Sequence, residues 1–189
     1  MKIQKKYIIK IPSNVCLLYS AKSKILSFMG PQGVKTLQVP LKIVVLEAEK
    51  IIKITRIPFK TVSNNVKKRL KVIQGLLVAE LKQILLDVIR VRVKKLKLEG
   101  LGYKLFHVEH SSTLIYFKLG YSHFVYCRVP STIKLVSLKA TKLFIFGSSH
   151  VLVSQIAALI KSYRIPDVYK GKGVLYVNER VRLKKGKKV

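Results

Sequence analysis

The sequence contains an internal repeat at an offset of 118 residues, which constrains the fold more than any other feature. Residues 11–17 correspond to residues 129–135, and both copies enter through a Pro-Ser pair. In the same register Lys24, Ile25 and Phe28 correspond to Lys142, Leu143 and Phe146. A β-rich segment that occurs twice predicts a duplicated unit, and 189 residues are enough for two units of about 90 residues each.

Short apolar runs bounded by Gly, Pro or Ser occur along both halves of the chain, as is typical of β-strands. In the first half they predict strands at residues 15–19, 24–29, 34–39, 43–46 and 51–54. In the second half they predict strands at residues 92–98, 103–108, 114–119, 124–129, 133–138 and 142–146. Both halves are therefore predicted to be mainly β-sheet.

Two segments change to the three- and four-residue spacing of an amphipathic helix. The first begins at Ser63 or Asn64 as N-cap, ends near residues 87–89, and has this apolar stripe: Val66, Leu70, Ile73, Leu77, Leu81 and Ile84. The second follows Ser149 and ends before Pro166. Each copy of the repeat is expected to run from its Pro-Ser entry through two strands and a longer segment to its helix.

These patterns together predict an α+β fold of two tandem duplicated domains, each an antiparallel β-sheet packed against one α-helix. The boundaries are residues 1–90 for the N-terminal domain and residues 91–189 for the C-terminal domain, which ends in a basic tail.

Charge and hydropathy exclude several classes of protein. There are 38 Lys and Arg against 8 Asp and Glu, a net charge of +30, yet 49% of the residues are hydrophobic. So apolar a chain is not a disordered basic tail, because such tails lack the side chains for a core. A compact unit with this charge repels itself unless a polyanion neutralises it, and nucleic acid and an anionic membrane are the usual polyanions.

Cys16 and Cys127 lie outside any zinc or disulfide spacing pattern and are interpreted as small apolar residues in reducing surroundings. No metal ion and no cofactor is predicted. The uncharged stretch 143–160 has the length of a membrane span, but Gly-Ser-Ser-His at residues 147–150 interrupts it. It is interpreted as a strand followed by a helix, and no membrane insertion is expected.

An enzyme and a peripheral membrane protein are the two alternatives. The eight carboxylates form no evident acid-base pair, and His107 and His110 would point to opposite faces of one strand. No catalytic residue and no small-molecule substrate are therefore predicted. A membrane-bound protein would concentrate its lysines on one amphipathic helix, whereas here they are spread over strands, loops and tail. That spread favours a protein embedded in RNA.

The C-terminal segment, residues 161–188, is the densest basic region, with ten basic and two acidic residues. Its centre is Tyr-Lys-Gly-Lys-Gly at residues 169–173. Glycine lets a backbone approach another chain closely, and its amides can donate to phosphate oxygens. Tyr163, Tyr169 and Tyr176 are candidates for stacking on bases. The alternative interpretation is a solvated tail with tyrosines in the core.

The same region carries a resemblance to a known family. Residues 166–174, Pro-Asp-Val-Tyr-Lys-Gly-Lys-Gly-Val, resemble the C-terminal signature of large-subunit ribosomal protein six. Residues 98–104 resemble its Gly-x-Gly-Tyr-basic strand, and residues 119–123 its Leu-Gly-aromatic-Ser-His turn. The first half matches only through the Ile-Pro-Ser entry and the strand-turn-strand after it, and its helix is richer in Lys and Leu than is usual in the family.

The resemblance implies the duplicated α+β fold and a structural role in the large ribosomal subunit. It implies binding to large-subunit rRNA beside the sarcin–ricin loop and near the stalk base, mainly through the second domain, with neighbouring ribosomal proteins, stalk-base proteins included, as partners. The predicted rRNA contacts on this chain are Lys161, Arg164, Tyr169, Lys170, Gly171, Lys172, Gly173, Lys184, Lys185, Lys187 and Lys188. Weaker candidates are Lys104, Ser122 and His123.

Codon-related composition suggests where the protein works. Of the 38 basic residues 30 are Lys, and Ile is abundant, a bias typical of an AT-rich genome. No secretory signal or transit peptide is recognised at the N-terminus, so the protein is expected to work where it is made. These features favour a mitochondrial ribosome, with a plastid or a bacterial cytoplasm as alternatives.

Overall fold

The computed structural model describes residues 7–46, 49–55, 63–108 and 111–186. The chain divides into two compact units, residues 1–90 and residues 91–189, which are called unit 1 and unit 2 below. Each unit has its own cluster of buried apolar side chains, built from strands and one helix.

The described residues of unit 1 form six strands in two antiparallel sheets. The strands are β1 (Ile8–Lys10), β2 (Cys16–Ser20), β3 (Ile25–Gly30), β4 (Gly33–Gln38), β5 (Ile43–Leu46) and β6 (Ile51–Ile54). One sheet has the order β1-β6-β5 and the other the order β2-β3-β4. Helix α1 (Asn64–Ile89) packs against β1, β3 and β4, so it mainly covers the second sheet.

The core of unit 1 forms because each element turns one apolar face inward. On β3, Leu26 and Phe28 are fully buried, whereas the residues that alternate with them are not. On α1 the buried positions follow helical spacing and are Gln74, Leu77, Val78, Leu81, Leu85, Asp87 and Val88. Of the predicted stripe on α1, Leu77 and Leu81 are buried and Leu70, Ile73 and Ile84 pack half-buried against the core, whereas Val66 is exposed.

Unit 1 also buries an acidic residue on α1. The carboxylate of Asp87 accepts hydrogen bonds from Lys35 Nζ of β4 at 3.0 Å and from Gln83 Nε2 at 2.9 Å. A buried carboxylate is costly unless it is paired. Lys35 therefore ties α1 to the sheet β2-β3-β4 by charge as well as by packing.

In unit 2 the part of the chain that the structure describes forms seven strands, again in two antiparallel sheets. The strands are β7 (Arg92–Glu99), β8 (Lys104–Val108), β9 (Ser111–Lys118), β10 (Val125–Arg128), β11 (Ile133–Lys139), β12 (Lys142–Gly147) and β13 (Gly173–Tyr176). The sheets have the orders β10-β9-β8 and β11-β12-β7-β13. Helix α2 (His150–Ser162) packs against β7, β12 and β13.

The α+β class with one helix in each unit is confirmed, and the structure refines it. Each unit distributes its strands over two sheets, where the sequence predicted one. Strands β1 and β13 were not predicted, and β9 begins at Ser111, three residues earlier than expected. Ser63 and Ser149 occupy the N-cap positions, but neither side chain makes a capping hydrogen bond within the described residues. In that part of the chain no helix combines the length and hydropathy needed to cross a membrane.

The sequence repeat corresponds to one structural element, which is the hairpin β2-β3 in unit 1 and the hairpin β11-β12 in unit 2. The turn before each hairpin closes with the same backbone hydrogen bond. Val15 N–H donates to Pro12 O at 3.2 Å, and Ile133 N–H donates to Pro130 O at 3.0 Å. The offset of 118 therefore holds for the entry turn and the first strand.

On the second strand of the hairpin the true offset is 117. Leu17 pairs with Phe28, while its equivalent Leu135 pairs with Ile145. The sequence alignment of Lys24, Ile25 and Phe28 with Lys142, Leu143 and Phe146 is therefore wrong by one residue. The physical reason is a connection one residue shorter in unit 2, with a register shift between Ser137 and Lys139.

Gly30 and Gly147 are equivalent at this offset, and a helix packs onto each of them. A Cβ on Gly30 would overlap Cγ1 of Val88, and a Cβ on Gly147 would lie 2.7 Å from Cγ2 of Val153. In unit 1 the contact comes from the last turns of α1, after three further strands. In unit 2 it comes from the first turn of α2, two residues after β12. The predicted longer segment before the helix is thus present in unit 1 and wrong for unit 2.

Candidate nucleic-acid interface

The segment 167–173, called the glycine loop below, is closed by one acidic residue. Asp167 N–H donates to Lys172 O at 3.0 Å, and Gly171 N–H donates to Asp167 O at 2.8 Å. The Asp167 carboxylate accepts the amides of Tyr169 and Lys170, each at 3.3 Å. An aspartate that bonds the backbone two and three residues ahead is a turn-forming arrangement. The loop therefore has a defined shape in the protein alone.

Two glycines make this closure sterically feasible. Gly171 is buried and has a φ of +68°, a left-handed conformation that other residues adopt with strain. A Cβ on Gly173 would lie 2.5 Å from Pro166 Cα and 3.0 Å from Arg164 O. The amide of Gly171 is engaged within the loop, so both glycines have a clear role in shaping it, and their direct contact with RNA stays a prediction.

The glycine loop presents an aromatic ring and two cations to solvent. Tyr169 is 60% exposed, and Lys170 and Lys172 are exposed on either side of Gly171. Lys184 N–H donates to Val168 O at 3.0 Å, which holds the basic tail against the loop. The tail thereby adds the exposed Lys184 and Lys185 to the same region. The predicted contacts Lys187 and Lys188 lie outside the described residues.

A cleft of about 500 Å³ adjoins the loop. Its lining residues are Tyr103, Tyr121, Ser162, Tyr163, Arg164, Ile165, Asp167 and Lys172. The guanidinium of Arg164 lies 4.6 Å from the ring centre of Tyr121, and the His123 ring stacks on that tyrosine at 5.6 Å. These three planar groups, called the ladder below, combine the half-buried cation Arg164 with the exposed rings of Tyr121 and His123.

A hydrogen bond from its middle member holds this ladder in place. The Tyr121 hydroxyl donates to Tyr163 O at 3.1 Å at the end of α2. A hydrogen bond with Tyr121 is also the main reason that the pKa of Arg164 is raised above its ordinary value. The guanidinium therefore stays charged beside the cleft. Planar cationic and aromatic groups of this kind suit unpaired bases and phosphates.

Lys161 is the predicted contact that the structure places differently. Its Nζ lies 2.6 Å from Glu179 Oε1 and 5.1 Å from the ring centre of Tyr176. The second carboxylate oxygen of Glu179 accepts the Tyr176 amide at 3.2 Å, and Lys161 lowers the pKa of Glu179. The ammonium is thus neutralised within unit 2, and its role is to fasten β13 and the residues after it to α2.

The three tyrosines of the C-terminal segment have different surroundings. Tyr163 is half-buried, and its ring centre lies 6.2 Å from that of Phe117. Burial, the main cause, and a hydrogen bond with Cys127, the second, raise the pKa of Tyr163 to about 12. The ammonium groups of Lys161 and Lys94 lie 5.1 Å and 5.7 Å from the ring centre of Tyr176. Of the three, Tyr169 presents its ring to solvent, where it could stack on a base. Tyr163 and Tyr176 instead agree with the alternative interpretation, in which the tyrosines pack within the protein.

The weaker candidates separate into two places. Ser122 and His123 are exposed in the turn beside the cleft, and His123 belongs to the ladder. Lys104 is exposed on β8, directly opposite Lys118 of β9, and is considered separately below. Tyr121 and Tyr103 of the cleft were missed as site residues. The Leu-Gly-Tyr-Ser-His motif contained the signal for Tyr121, since this tyrosine directly precedes the two predicted residues Ser122 and His123.

The described residues contain no group of three or more His, Cys, Asp or Glu side chains placed to hold a metal ion. Cations, rings and a shaped loop are the chemistry that this surface offers, and they define a class of protein that binds a polyanion.

Comparison with known proteins identifies the family. Residues 106–177 match the family model described as Ribosomal protein L6. A large ribosomal subunit protein uL6 from Malacoplasma penetrans (strain HF-2) is 33% identical over 183 residues, which are 95% of this chain and 92% of that protein. One from Chlorobium phaeovibrioides is 32% identical over 158 residues, 84% and 83% of the two chains. One from Chloroherpeton thalassium is 45% identical over 94 residues, about half of each.

The class is therefore that of ribosomal structural proteins rather than enzymes. More closely, the chain belongs to the ribosomal protein L6 family, known as uL6 in the large subunit.

Proposed function

We propose that this protein is a structural constituent of the large ribosomal subunit that binds large-subunit rRNA chiefly through unit 2. The observation that carries the proposal is the glycine loop, in which Asp167 and two glycines present Tyr169, Lys170 and Lys172 in a fixed arrangement. Lysines that displace counterions from phosphates provide affinity, and a shaped backbone provides fit to an RNA surface.

The rRNA contacts assigned to this surface form one set around the loop and the cleft. They are Arg164, Tyr169, Lys170, Lys172, Lys184 and Lys185, with Tyr121, Ser122 and His123 at the cleft and Lys187 and Lys188 further along the tail. Gly171 and Gly173 act by shaping the loop. Lys161 acts by bracing it through Glu179.

The location proposed for this contact is beside the sarcin–ricin loop, near the base of the factor-binding stalk, with stalk-base proteins as neighbours. The resemblance of residues 166–174 and 119–123 to the family motifs supports it. In the folded unit Tyr121 of the 119–123 turn lines the same cleft as Asp167 and Lys172 of the glycine loop, which is consistent with a shared RNA contact.

A mitochondrial ribosome is the proposed site of action. Its support is the composition, with 30 Lys against 8 Arg and abundant Ile. The relatives named above are bacterial.

Density-gradient sedimentation tests both the ribosomal role and the compartment. Organelle and cytosol lysates are prepared from cells that express the tagged protein. The tagged protein should migrate with large subunits of the mitochondrial fraction. Migration with another ribosome contradicts the proposed compartment but not the ribosomal role. Release from subunits at low salt contradicts the ribosomal role.

The salt dependence of rRNA binding tests the placement of the site. The double variant Lys170→Ala with Lys172→Ala should bind large-subunit rRNA more weakly, and the slope of log affinity against log salt should fall by about 2. The matched control is Lys68→Ala with Lys71→Ala, which removes the same charge from exposed positions of α1. Its slope should change far less. Equal changes in both variants would mean that binding follows net charge and not the glycine loop.

A further inference from the structure

The outer face of the sheet β10-β9-β8 carries four aromatic residues, called the aromatic sheet face: Phe106, Tyr116, Phe124 and Tyr126. The strand register places Phe106 and Tyr126 on either side of Tyr116, so three rings form a row across the sheet. The Tyr116 ring centre lies 5.1 Å from Phe106, 5.7 Å from Tyr126 and 5.5 Å from Phe124. The four rings therefore form one continuous surface centred on Tyr116.

This surface does not contribute to the core of unit 2. The neighbouring residues Leu105, Ile115 and Cys127 point to the other side of the sheet and are buried. On the aromatic sheet face, Phe106 is 36%, Phe124 47% and Tyr126 60% exposed. Contiguous exposed aromatic surface is unusual on a soluble unit and marks a binding site.

Cations flank the aromatic row on both sides, two residues away along the strands. Lys104 and Lys118 stand directly opposite each other on β8 and β9, and Arg128 lies two residues beyond Tyr126 on β10; all three are exposed. Like charges opposite each other destabilise a strand pair, so this placement serves no folding purpose. The described residues of the three strands include no Asp or Glu. This purely basic pattern complements a polyanion better than it complements a protein partner, whose interface rim would carry charges of both signs.

We propose that the aromatic sheet face is a second RNA-binding surface, on which unpaired rRNA nucleotides stack. Bases would lie against the exposed rings, and phosphates beside Lys104, Lys118 and Arg128. Exposed rings on a sheet, flanked by basic side chains, are a general means of binding single-stranded nucleotides without strict sequence preference. This inference rests on the proposed rRNA-binding function and adds a surface built from different residues than the glycine loop.

Site-specific crosslinking in assembled large subunits tests which class of partner covers the face. A photoreactive phenylalanine analogue replaces Tyr126 in the full chain, and irradiated subunits are digested separately with ribonuclease and protease. The expected result is an adduct to rRNA that ribonuclease removes. An adduct to another protein chain, with none to rRNA, would overturn the proposal in favour of a protein-docking face.

Affinity measurements separate stacking from apolar contact. The purified full chain is titrated with short oligouridylate at raised salt, where phosphate attraction is screened. Phe124→Leu with Tyr126→Leu keeps apolar surface but removes the rings and should weaken binding by about 10-fold, whereas Tyr126→Phe should bind like the wild type. The control, Val136→Ala with Leu138→Ala, removes exposed apolar surface from β11 of the same unit. Unchanged affinity in the double Leu variant contradicts the proposal.

The two proposals fail in distinguishable ways. If the Lys170 and Lys172 variant loses its salt slope while the Leu variant binds normally, the glycine loop stands and the aromatic sheet face is not an RNA surface. If only the Leu variant is impaired, rRNA binding resides on the sheet face and the placement at the loop is wrong.

Discussion

Units 1 and 2 have nearly the same charge but very different aromatic content. Residues 1–90 contain 18 Lys and Arg with 4 acidic residues, and residues 91–189 contain 20 with 4. Of the 16 Phe and Tyr residues, however, 12 lie in unit 2. Charge alone attracts any polyanion, whereas rings, a cleft and a shaped loop give a particular RNA segment something to fit. The difference supports our proposal that the specific rRNA contacts lie in unit 2, with unit 1 contributing a general electrostatic attraction.

The two units also secure their helices differently, and the largest predicted effect follows from this. Lys35→Ala removes the ammonium that forms an ion pair with the buried Asp87 carboxylate, and should destabilise unit 1 by about 3 kcal/mol. Lys161→Ala should cost unit 2 less than about 1 kcal/mol, because the Glu179 side chain is 28% exposed and can hydrate. Amide hydrogen exchange followed by mass spectrometry reports each unit separately.

A second substitution controls for lost packing around Lys35. Asp87→Asn in the Lys35→Ala background removes the buried negative charge while it keeps the shape of the side chain, and should recover part of the stability of unit 1. A double variant less stable than Lys35→Ala would show that the charge pair is not what matters there.

The equivalence of the two hairpins predicts a shared steric requirement. Gly30→Ala and Gly147→Ala should each destabilise their own unit by about 2 kcal/mol, since the new methyl group meets Val88 in one and Val153 in the other. Urea unfolding with exchange detection measures both. Gly75, with open space around the Cβ position on α1, is the matched control, and Gly75→Ala should be neutral or stabilising. A tolerated Gly147→Ala would contradict the equivalence.

The glycine loop has no counterpart among the described residues of unit 1, and its shape can be tested without changing charge. Gly173→Ala forces Pro166 and the loop backbone apart. We expect weaker rRNA binding, by about 10-fold, with an unchanged salt slope, because the lysines remain but are misplaced. Filter binding across a salt series distinguishes this from Lys170→Ala. The conclusion fails if Gly173→Ala binds as the wild type does.

The smallest predicted effect concerns alkaline pH and unit 2 alone. Burial raises the pKa of Tyr163 to about 12 from an ordinary value near 10. The neutral phenol is thus favoured in the folded unit, so its contribution is complete below pH 10 and is lost as the pH rises towards 12. Tyr163→Phe should flatten the decline in stability of unit 2 over that interval and leave unit 1 unchanged. An unaltered decline in hydrogen-exchange protection of unit 2 would refute this assignment.

Local features of the fold were predictable from the sequence. Helix α1 begins and ends where the apolar stripe predicted, because a 3.6-residue period over 26 residues has no other interpretation. Strand β13 was not predicted because it lies in a segment rich in glycine and lysine. It forms by pairing with β7, which is distant in sequence. The division into two sheets per unit escaped for the same reason, since strand order depends on long-range pairing.

The candidate site shows the same boundary between local and distant information. The loop residues Tyr169, Lys170 and Lys172 were predicted from a motif, and the structure exposes all three. The neutralisation of Lys161 by Glu179 and the stacking of Arg164 on Tyr121 join residues from separate elements. No spacing rule in the sequence connects them.

The sequence by itself determined that the chain folds as two related α+β units and that its excess charge needs a polyanion. Periodicity and turn residues depend on neighbours in the sequence, and net charge is a sum over all residues. These properties can therefore be read without coordinates. Only the tertiary structure decided which cations are free and which are internally paired, how the second copy of the hairpin shifts by one residue, and which rings reach solvent. Those properties depend on what each side chain meets across the core, and distant residues supply that contact.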